Sequence, residues 1–555
     1  MADAIPYVDA LSRWAAGSPA QLADRSSALD HDELLRQFHP DYQDKSHAIL
    51  AVGRNRGDRC QVQVAELLQS NSLIDEIDLA GVPIYVTDVL IIGGGGAGCA
   101  AALTAAAQGV RITLMTKLQL GDSNTVMAKG GMQAAVGLDD TPQLHYDDTL
   151  RAGQYAAEPK LVAQMVLDGP AIVRWLIQLG MQFDQAADQP LGDLLLKRPG
   201  GGSADRIVSF RDYTGMELMR VLRESVAYTP GVKLLPQCPV VELLTNEHGH
   251  CAGAVGYHIT YRRLFLVQAQ ATILATGGIG RVHLDGFPTS NHFGATGDGI
   301  ALAYRLGARL RDLDSFQYHP TGLAHPRRLA GSLVSEAARS AGAHLVNGLG
   351  ERFVDELQAR DVVAAAVIRE CREGRGIVRD GCIGVFLDTP GLEKAKPGTL
   401  ERFVDLAHLA KRCGHDPAET PFLVYPTLHY QNGGVAIDSS GATNVGRLFC
   451  AGEVTGGIHG RNRLMGNALL DILSFGRRAG TAAAALCGGP AHRRLGIDHL
   501  AGWQRELTLA GLPLDRRSPL FFPSYANFDL RTHARLRASS GMAPPPISTS
   551  TPEVR

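Results

Sequence analysis

The feature that most constrains the fold lies at residues 85–116: an apolar run, YVTDVLII, then GGGGAG, then the alanine-rich CAAALTAAAQG, then a second apolar run, VRITLMT. Strand, glycine turn, helix and strand in that order open a dinucleotide-binding βαβ unit. In Gly93-x-Gly95-x-x-Gly98 the first glycine permits a tight turn, the second lets backbone approach a pyrophosphate, and the third allows close strand–helix packing. The diphosphate is expected at the helix N-terminus, where free N–H groups and the helix dipole favour an anion. Residues 89–108 are uncharged and long enough to suggest a membrane span, but four adjacent glycines make a poor spanning helix. A buried strand and helix is the better reading. The second strand ends in Met115-Thr116-Lys117 and not in the acid that would hold an NAD ribose, which leaves the nucleotide open at this point.

The 555 residues suffice for about three or four domains. With 45% hydrophobic and 20% charged residues and a net charge of −2, there is no basic field for nucleic acid. The nine cysteines are scattered and form no C-x-x-C pair, which fits a reducing compartment and gives no metal or iron–sulfur site in this chain. No secretory leader is recognisable, so a cytoplasmic location without a direct membrane span is expected.

Residues 1–85 read as a helical extension, from the three- and four-residue apolar spacing of LDHDELLRQF and VQVAELLQSNSLIDEI. The strand QATILATGG is consistent with the same sheet as the opening unit. Residues 314–427 are rich in helical patterns and read as a second lobe. Strand, glycine loop and helix return at 446–480, so the first domain is expected to be discontinuous. The end of the chain, from about residue 539, is rich in Pro and Ser and is expected to be disordered.

Six further motifs identify the cofactor: GDSNTVMAKGGMQAA, ATGDGIALAYRLGA, QYHPTG, SEAARSAGAHLVNGLGERFVDELQARD, HYQNGG and CAGEVTGGIHGRNRLMGNALLD. In order and character they resemble the flavoprotein family of succinate dehydrogenase, fumarate reductase and L-aspartate oxidase. The resemblance implies an α/β fold: a Rossmann-type FAD-binding domain (86–313 and 428–480) interrupted by a capping α+β domain (314–427). A short helical C-terminal region (481–538) and a disordered tail (539–555) follow. It also implies that Gly93, Gly95, Gly98, Thr116, Lys117, Ser123, Gly131, Asp298, Glu453, Asn467 and Leu469 contact FAD.

By the same resemblance the substrate is a C4 dicarboxylate, whose two charges need cationic or hydrogen-bonding donors at both ends. His319 and Ser335 then hold one carboxylate, and His429 and Arg463 the other. Arg360 falls where the family's proton donor lies, with Glu336 and Arg339 as its relay toward solvent. A free guanidinium has a pKa above 12 and hardly releases a proton, so that role depends on a relay that restores it at once. Taken singly, each of these histidines and arginines is more often a structural side chain. The ordered set of motifs favours the functional reading.

Three departures matter. Members that attach flavin covalently do so through the histidine of S-H-T-V, where this chain has Ser123-Asn124-Thr125-Val126; FAD is therefore expected to be non-covalent, with fumarate reduction favoured over succinate oxidation. Lys129 replaces the usual glutamine of A-Q-G-G. The region after Gly480 is short for the family's closing helical domain, which argues against docking to a standard iron–sulfur electron-transfer subunit, the partner the family implies. Two other functions compete. An L-aspartate oxidase needs a counter-charge for its substrate's ammonium group, and where those oxidases carry R-E-G-G this chain reads Arg198-Pro199-Gly200-Gly201. A non-catalytic FAD electron-transfer subunit predicts decay of His319, Arg360, His429 and Arg463, and all four are present.

Overall fold

In the computed structural model the residues described are 4–17, 30–74, 79–186, 194–489, 492 and 494–526. The proline- and serine-rich end of the chain lies outside them.

The run 85–92 forms the strand Ile84–Ile92, the centre of a seven-stranded sheet. Its neighbours Ile112–Met115 and Arg263–Leu274 both run parallel to it, and Val232–Leu235 lies parallel beyond the first. Arg263–Leu274 is long enough to change partners along its length: its first half pairs antiparallel with Cys251–His258, its last residues parallel with Leu448–Cys450. That last pairing brings a strand from 174 residues downstream into the first sheet, as expected for an interrupted domain. The helix Gly96–Ala106 packs on the sheet through alanines that are almost wholly buried. It crosses the helix Asn467–Ala485 at very close range. A Cβ at Gly476 would lie 2.6 Å from Ala97 O, and one at Gly480 2.4 Å from Ala101 O.

The second lobe is α+β. Its sheet runs Ile5–Pro6, Ile377–Arg379, Cys382–Asp388, Phe422–Gln431, Phe316–Leu323, with His344–Val346 paired to Cys382–Asp388. The helix Arg360–Arg372 covers it, and its apolar residues join one core with Val385, Leu387, Phe422 and Val424. The two long strands Phe316–Leu323 and Phe422–Gln431 pair antiparallel and run from this core to the cleft between the lobes. The architecture is the expected one, an α/β FAD-binding domain interrupted by an α+β lobe.

Residues 4–74 touch both lobes. The strand Ile5–Pro6 extends the second sheet, and Leu34, Leu35 and Phe38 of the helix His31–Phe38 enter the second lobe's core. Leu50, Val52 and the helix Val62–Leu68 enter the core under the first sheet. After residue 480 the described chain has one further helix, His499–Leu509, and a short strand, Arg517–Ser518, paired with Asn71–Ser72. No helix of the described residues is long and apolar enough to cross a membrane.

Candidate functional site

A cavity of about 1300 Å³ runs from the glycine turn into the cleft between the lobes. Its nucleotide end is built by residues that leave no room for side chains. Gly93 has φ +110°, and a Cβ there would lie 2.2 Å from Ala275 O. A Cβ on Gly98 would lie 1.9 Å from Gly93 O, so this glycine serves helix–strand packing and does not face the cavity. Gly95 precedes the helix Gly96–Ala106 and lines the cavity. A second helix, Asn467–Ala485, also starts at the wall. It follows the left-handed Gly466 (φ +86°) and presents Ala468 and Leu469. Two helix N-termini facing one elongated cavity suit a ligand with an anionic centre.

Thr116, Lys117, Ser123, Gly131, Asp298 and Glu453 also line the cavity. Lys117 Nζ donates to Asp298 Oδ2 at 2.7 Å and to Thr296 Oγ1 at 2.8 Å, so the cation that ends the second strand is paired with a carboxylate from a distant helix. Asn467 behaves differently: its side chain turns away, to His145 Nε2 at 2.8 Å and Thr149 Oγ1 at 2.9 Å. Asn124 is fully engaged. Its Nδ2 donates to Asn291 Oδ1 at 2.7 Å and Glu453 Oε2 at 3.0 Å, and its Oδ1 accepts from the His292 N–H at 2.6 Å. Burial raises the Glu453 carboxyl. These residues fit FAD: glycines where backbone must approach, helix N-termini for the diphosphate, and length enough for both ring systems.

At the cleft end, His319, Ser335, Glu336, Arg360, His429 and Arg463 line the same cavity, and Arg339 stands behind Glu336. Arg360 begins its helix and reaches Glu336 Oε2 through Nη2 at 2.7 Å and Nε at 2.8 Å. Arg339 Nη2 lies 3.4 Å from the same oxygen, and its Nη1 donates to Glu356 O at 2.5 Å. Burial pushes the Glu336 carboxyl up, but Arg360 and Arg339 outweigh it and hold it below the usual carboxylate range. Ser335 caps its helix, accepting from the Ala337 N–H at 3.3 Å.

The side chain that ties this wall together is Gln317, which the sequence reading did not single out. Its Oε1 accepts from Arg360 Nη1 at 3.0 Å and from Arg463 Nη2 at 2.9 Å, while its Nε2 donates to Arg463 O and Asn462 Oδ1. One neutral amide oxygen thus holds two guanidiniums side by side. The available signal was spacing: Gln317 stands two residues before His319, on the same face of one strand. Arg463 is also stacked on the Tyr430 ring, 4.4 Å from its centroid, and its Nε is buried without a partner. Burial and the neighbouring Arg360 bring its pKa down to about 10.

Both histidines are held neutral, well below the usual imidazole range, by burial and by the charge of Arg360. His319 Nδ1 accepts from the Thr321 backbone N–H at 3.3 Å, which puts its proton on Nε2. That nitrogen is buried, unpartnered, and 3.9 Å from Glu336 Oε2. The R-P-G-G stretch also reaches this wall: a Cβ on Gly200 would lie 2.7 Å from Glu336 Oε1. Lys129 lines the cavity and is ion-paired with Asp405 of the second lobe.

Comparison with known proteins agrees with this geometry. A family model described as FAD binding domain matches residues 88–469. One of the subunits of the fumarate reductase (CoM/CoB) of Methanothermobacter marburgensis is 40% identical over 418 residues, covering 72% of this chain and 73% of its own length. The L-aspartate oxidase of Streptomyces coelicolor is 39% identical over 423 residues, covering 74% and 70%. Among solved structures, quinol fumarate reductase of E. coli superposes with a TM-score of 0.69 at 31% identity, covering 77% of this chain and 75% of that one.

Proposed function

The chain belongs to the FAD-dependent oxidoreductase family that includes fumarate reductase, succinate dehydrogenase and L-aspartate oxidase, and from that premise we propose that it exchanges hydride with a C4 dicarboxylate, fumarate or succinate. FAD, when bound, supplies the two-electron hydride chemistry. The observation that carries the reading is the wall on which Gln317 Oε1 holds Arg360 and Arg463 together, with the unpartnered Arg463 Nε and His319 Nε2 beside them. A dianion is the ligand that satisfies these donors.

In this reading Arg463 and His429 hold one carboxylate, and His319 and Ser335 hold the other. Gln317 keeps the guanidinium of Arg463 from swinging away and sets the position of Arg360. Arg360 gives a proton to the carbon beside the one that takes the hydride. Glu336, in contact with two nitrogens of Arg360, returns a proton to it, and Arg339 connects Glu336 to the interior behind. For succinate the same steps run in reverse.

An L-aspartate oxidase activity is the second reading, supported by the similarity to the Streptomyces enzyme. Against it, the substrate's ammonium group needs a carboxylate, and Glu336 is already engaged by Arg360 and Arg339. Asn124 supports non-covalent FAD, because its amide is spent on three hydrogen bonds and offers no imidazole nitrogen for a flavin bond. Acid precipitation should then release all the FAD into the supernatant; yellow colour retained on the precipitate contradicts this. The Methanothermobacter relative is one of several subunits of its enzyme, which supports an electron-transfer partner for this chain too.

The substrate class is tested by titrating oxidised holoenzyme with fumarate, succinate, L-aspartate and the monocarboxylate crotonate, and reading the flavin absorbance. Saturable binding of fumarate and succinate, with crotonate weaker by at least about tenfold, is expected from the loss of one charge-assisted contact. Equal affinity for crotonate would remove the dicarboxylate from the account.

A further inference from the structure

His429 stands at the end of the strand Phe422–Gln431, and its Nδ1 lies 2.8 Å from Ser290 Oγ. A hydroxyl can donate or accept, so this contact alone leaves the ring's tautomer open. The only other acceptor within reach of the Ser290 hydroxyl among the described residues is Leu428 O, at 3.5 Å. That carbonyl oxygen has two lone pairs and already receives Thr289 Oγ1 at 3.1 Å, the Ser290 N–H at 3.1 Å and Asn291 Nδ2 at 3.2 Å. It has no capacity for a fourth donor. The hydroxyl proton goes to His429 Nδ1, and the ring's own proton is left on Nε2.

We infer that Ser290 is a positioning residue: by donating to Nδ1 it fixes His429 as the neutral Nε2–H tautomer, so that the ring meets the substrate carboxylate with a donor and not with a lone pair. The identity of the carboxylate rests on the dicarboxylate reading above; the tautomer does not. At His319 the same result is reached by a backbone N–H, that of Thr321, which no side-chain substitution removes. At His429 it depends on one replaceable hydroxyl.

The loop that carries Ser290 is built to hold that hydroxyl still. Leu428 N donates back to Pro288 O, and Asn291 Nδ2 reaches His429 O at 3.3 Å. Asn291 Oδ1 accepts from Asn124 Nδ2, which joins the loop to the nucleotide wall. Hydroxyl, ring and nucleotide wall form one connected network. A misplaced hydroxyl would break contacts at both ends of it.

The test uses holoenzyme labelled with 15N-histidine, as wild type, Ser290→Ala and Ser290→Thr. Imidazole nitrogen shifts report the tautomer, and flavin absorbance reports the fumarate Kd. In the wild type, His429 is expected to carry its proton on Nε2 alone. Ser290→Ala should mix the two tautomers and raise the fumarate Kd about tenfold, with FAD content unchanged, since a neutral donor is lost from part of the population. Ser290→Thr, which keeps the hydroxyl, should restore both readouts. A wild-type His429 protonated on Nδ1 overturns the inference, as does a Ser290→Ala enzyme that binds fumarate as tightly as wild type. Failure of the wild type to bind any dicarboxylate would count against the proposed substrate, and the nitrogen shifts would still decide the role of Ser290.

Discussion

A guanidinium is an unusual acid, and the wall around Arg360 supplies what that role demands. Glu336 contacts two of its nitrogens and Gln317 the third, so its plane is set on both sides. Lysine in its place would lose the planar fork and could not put a proton beside the same carbon. Arg360→Lys is therefore expected to keep its flavin and to lower fumarate turnover by several orders of magnitude. Retention of more than about a tenth of wild-type kcat, a loss under about 1.4 kcal/mol, would make the arginine a positioning group. Arg463→Ala should instead act on affinity, weakening dicarboxylate binding by about 2 to 4 kcal/mol as a buried charge-assisted contact is lost. An unchanged Kd would take this end of the wall out of the site. At this scale the sequence is readable where a residue type answers a local demand. Gly93, Gly95 and Gly98 are of that kind, because only glycine fits the left-handed turn and the close backbone contacts. It is unreadable where the partner is remote in sequence. Nothing near Asn467 indicates that its side chain turns to His145, 322 residues away, or that Ser290 faces His429 across 139.

Elements are held in register by two devices of opposite chemistry. Between the helices Gly96–Ala106 and Asn467–Ala485 it is the absence of side chains: Gly476 and Gly480 let backbone meet backbone at the floor of the nucleotide site. Gly480→Val would force these helices apart, with an expected destabilisation of about 2 to 3 kcal/mol and weaker FAD retention. A variant with wild-type stability and flavin content would contradict the contact. Elsewhere it is a buried ion pair. Glu242 on the strand Val240–Thr245 is ion-paired with Arg305, accepts from Ser72 Oγ, and lies 3.7 Å from His499 Nε2. Burial raises this carboxyl, but Arg305 prevails and brings it down to about 2. Glu242→Ala leaves an uncompensated buried guanidinium and should cost about 3 to 5 kcal/mol in urea unfolding. A loss under about 1 kcal/mol would mean that the pair is incidental. The strand–turn–helix pattern at 85–116 made the first sheet legible from composition and period alone. The short strand Ile5–Pro6 was not, since two residues carry no periodicity and its partner is Ile377–Arg379.

For the whole molecule, the N-terminal segment is a bridge: residues 4–42 pack on the second lobe and 47–74 on the first. His39 sits in this bridge, edge-on to Tyr318 beside the substrate wall. Burial, with the charge of Arg461, pulls its pKa down to about 3; burial brings His145 to about 4. A histidine lowered in the folded state binds fewer protons there than in the unfolded chain. Stability is therefore lost as pH falls from about 6.5 toward 3 or 4, by up to about 1.4 kcal/mol per pH unit for each such group. Asp41 beside His39 acts with the opposite sign, because burial raises its pKa. The urea midpoint should fall between pH 7 and pH 5 in wild type and fall less in His39→Gln, which has no proton to gain. An equal fall in both would show that His39 does not contribute. The account's central claim concerns what the assembled cavity does, and anaerobic half-reactions test it most directly. Chemically reduced holoenzyme is mixed with fumarate, and oxidised holoenzyme with L-aspartate, while the flavin absorbance is followed. The predicted result is prompt reoxidation by fumarate and no reduction by L-aspartate; rapid reduction by L-aspartate with no reoxidation by fumarate would contradict it.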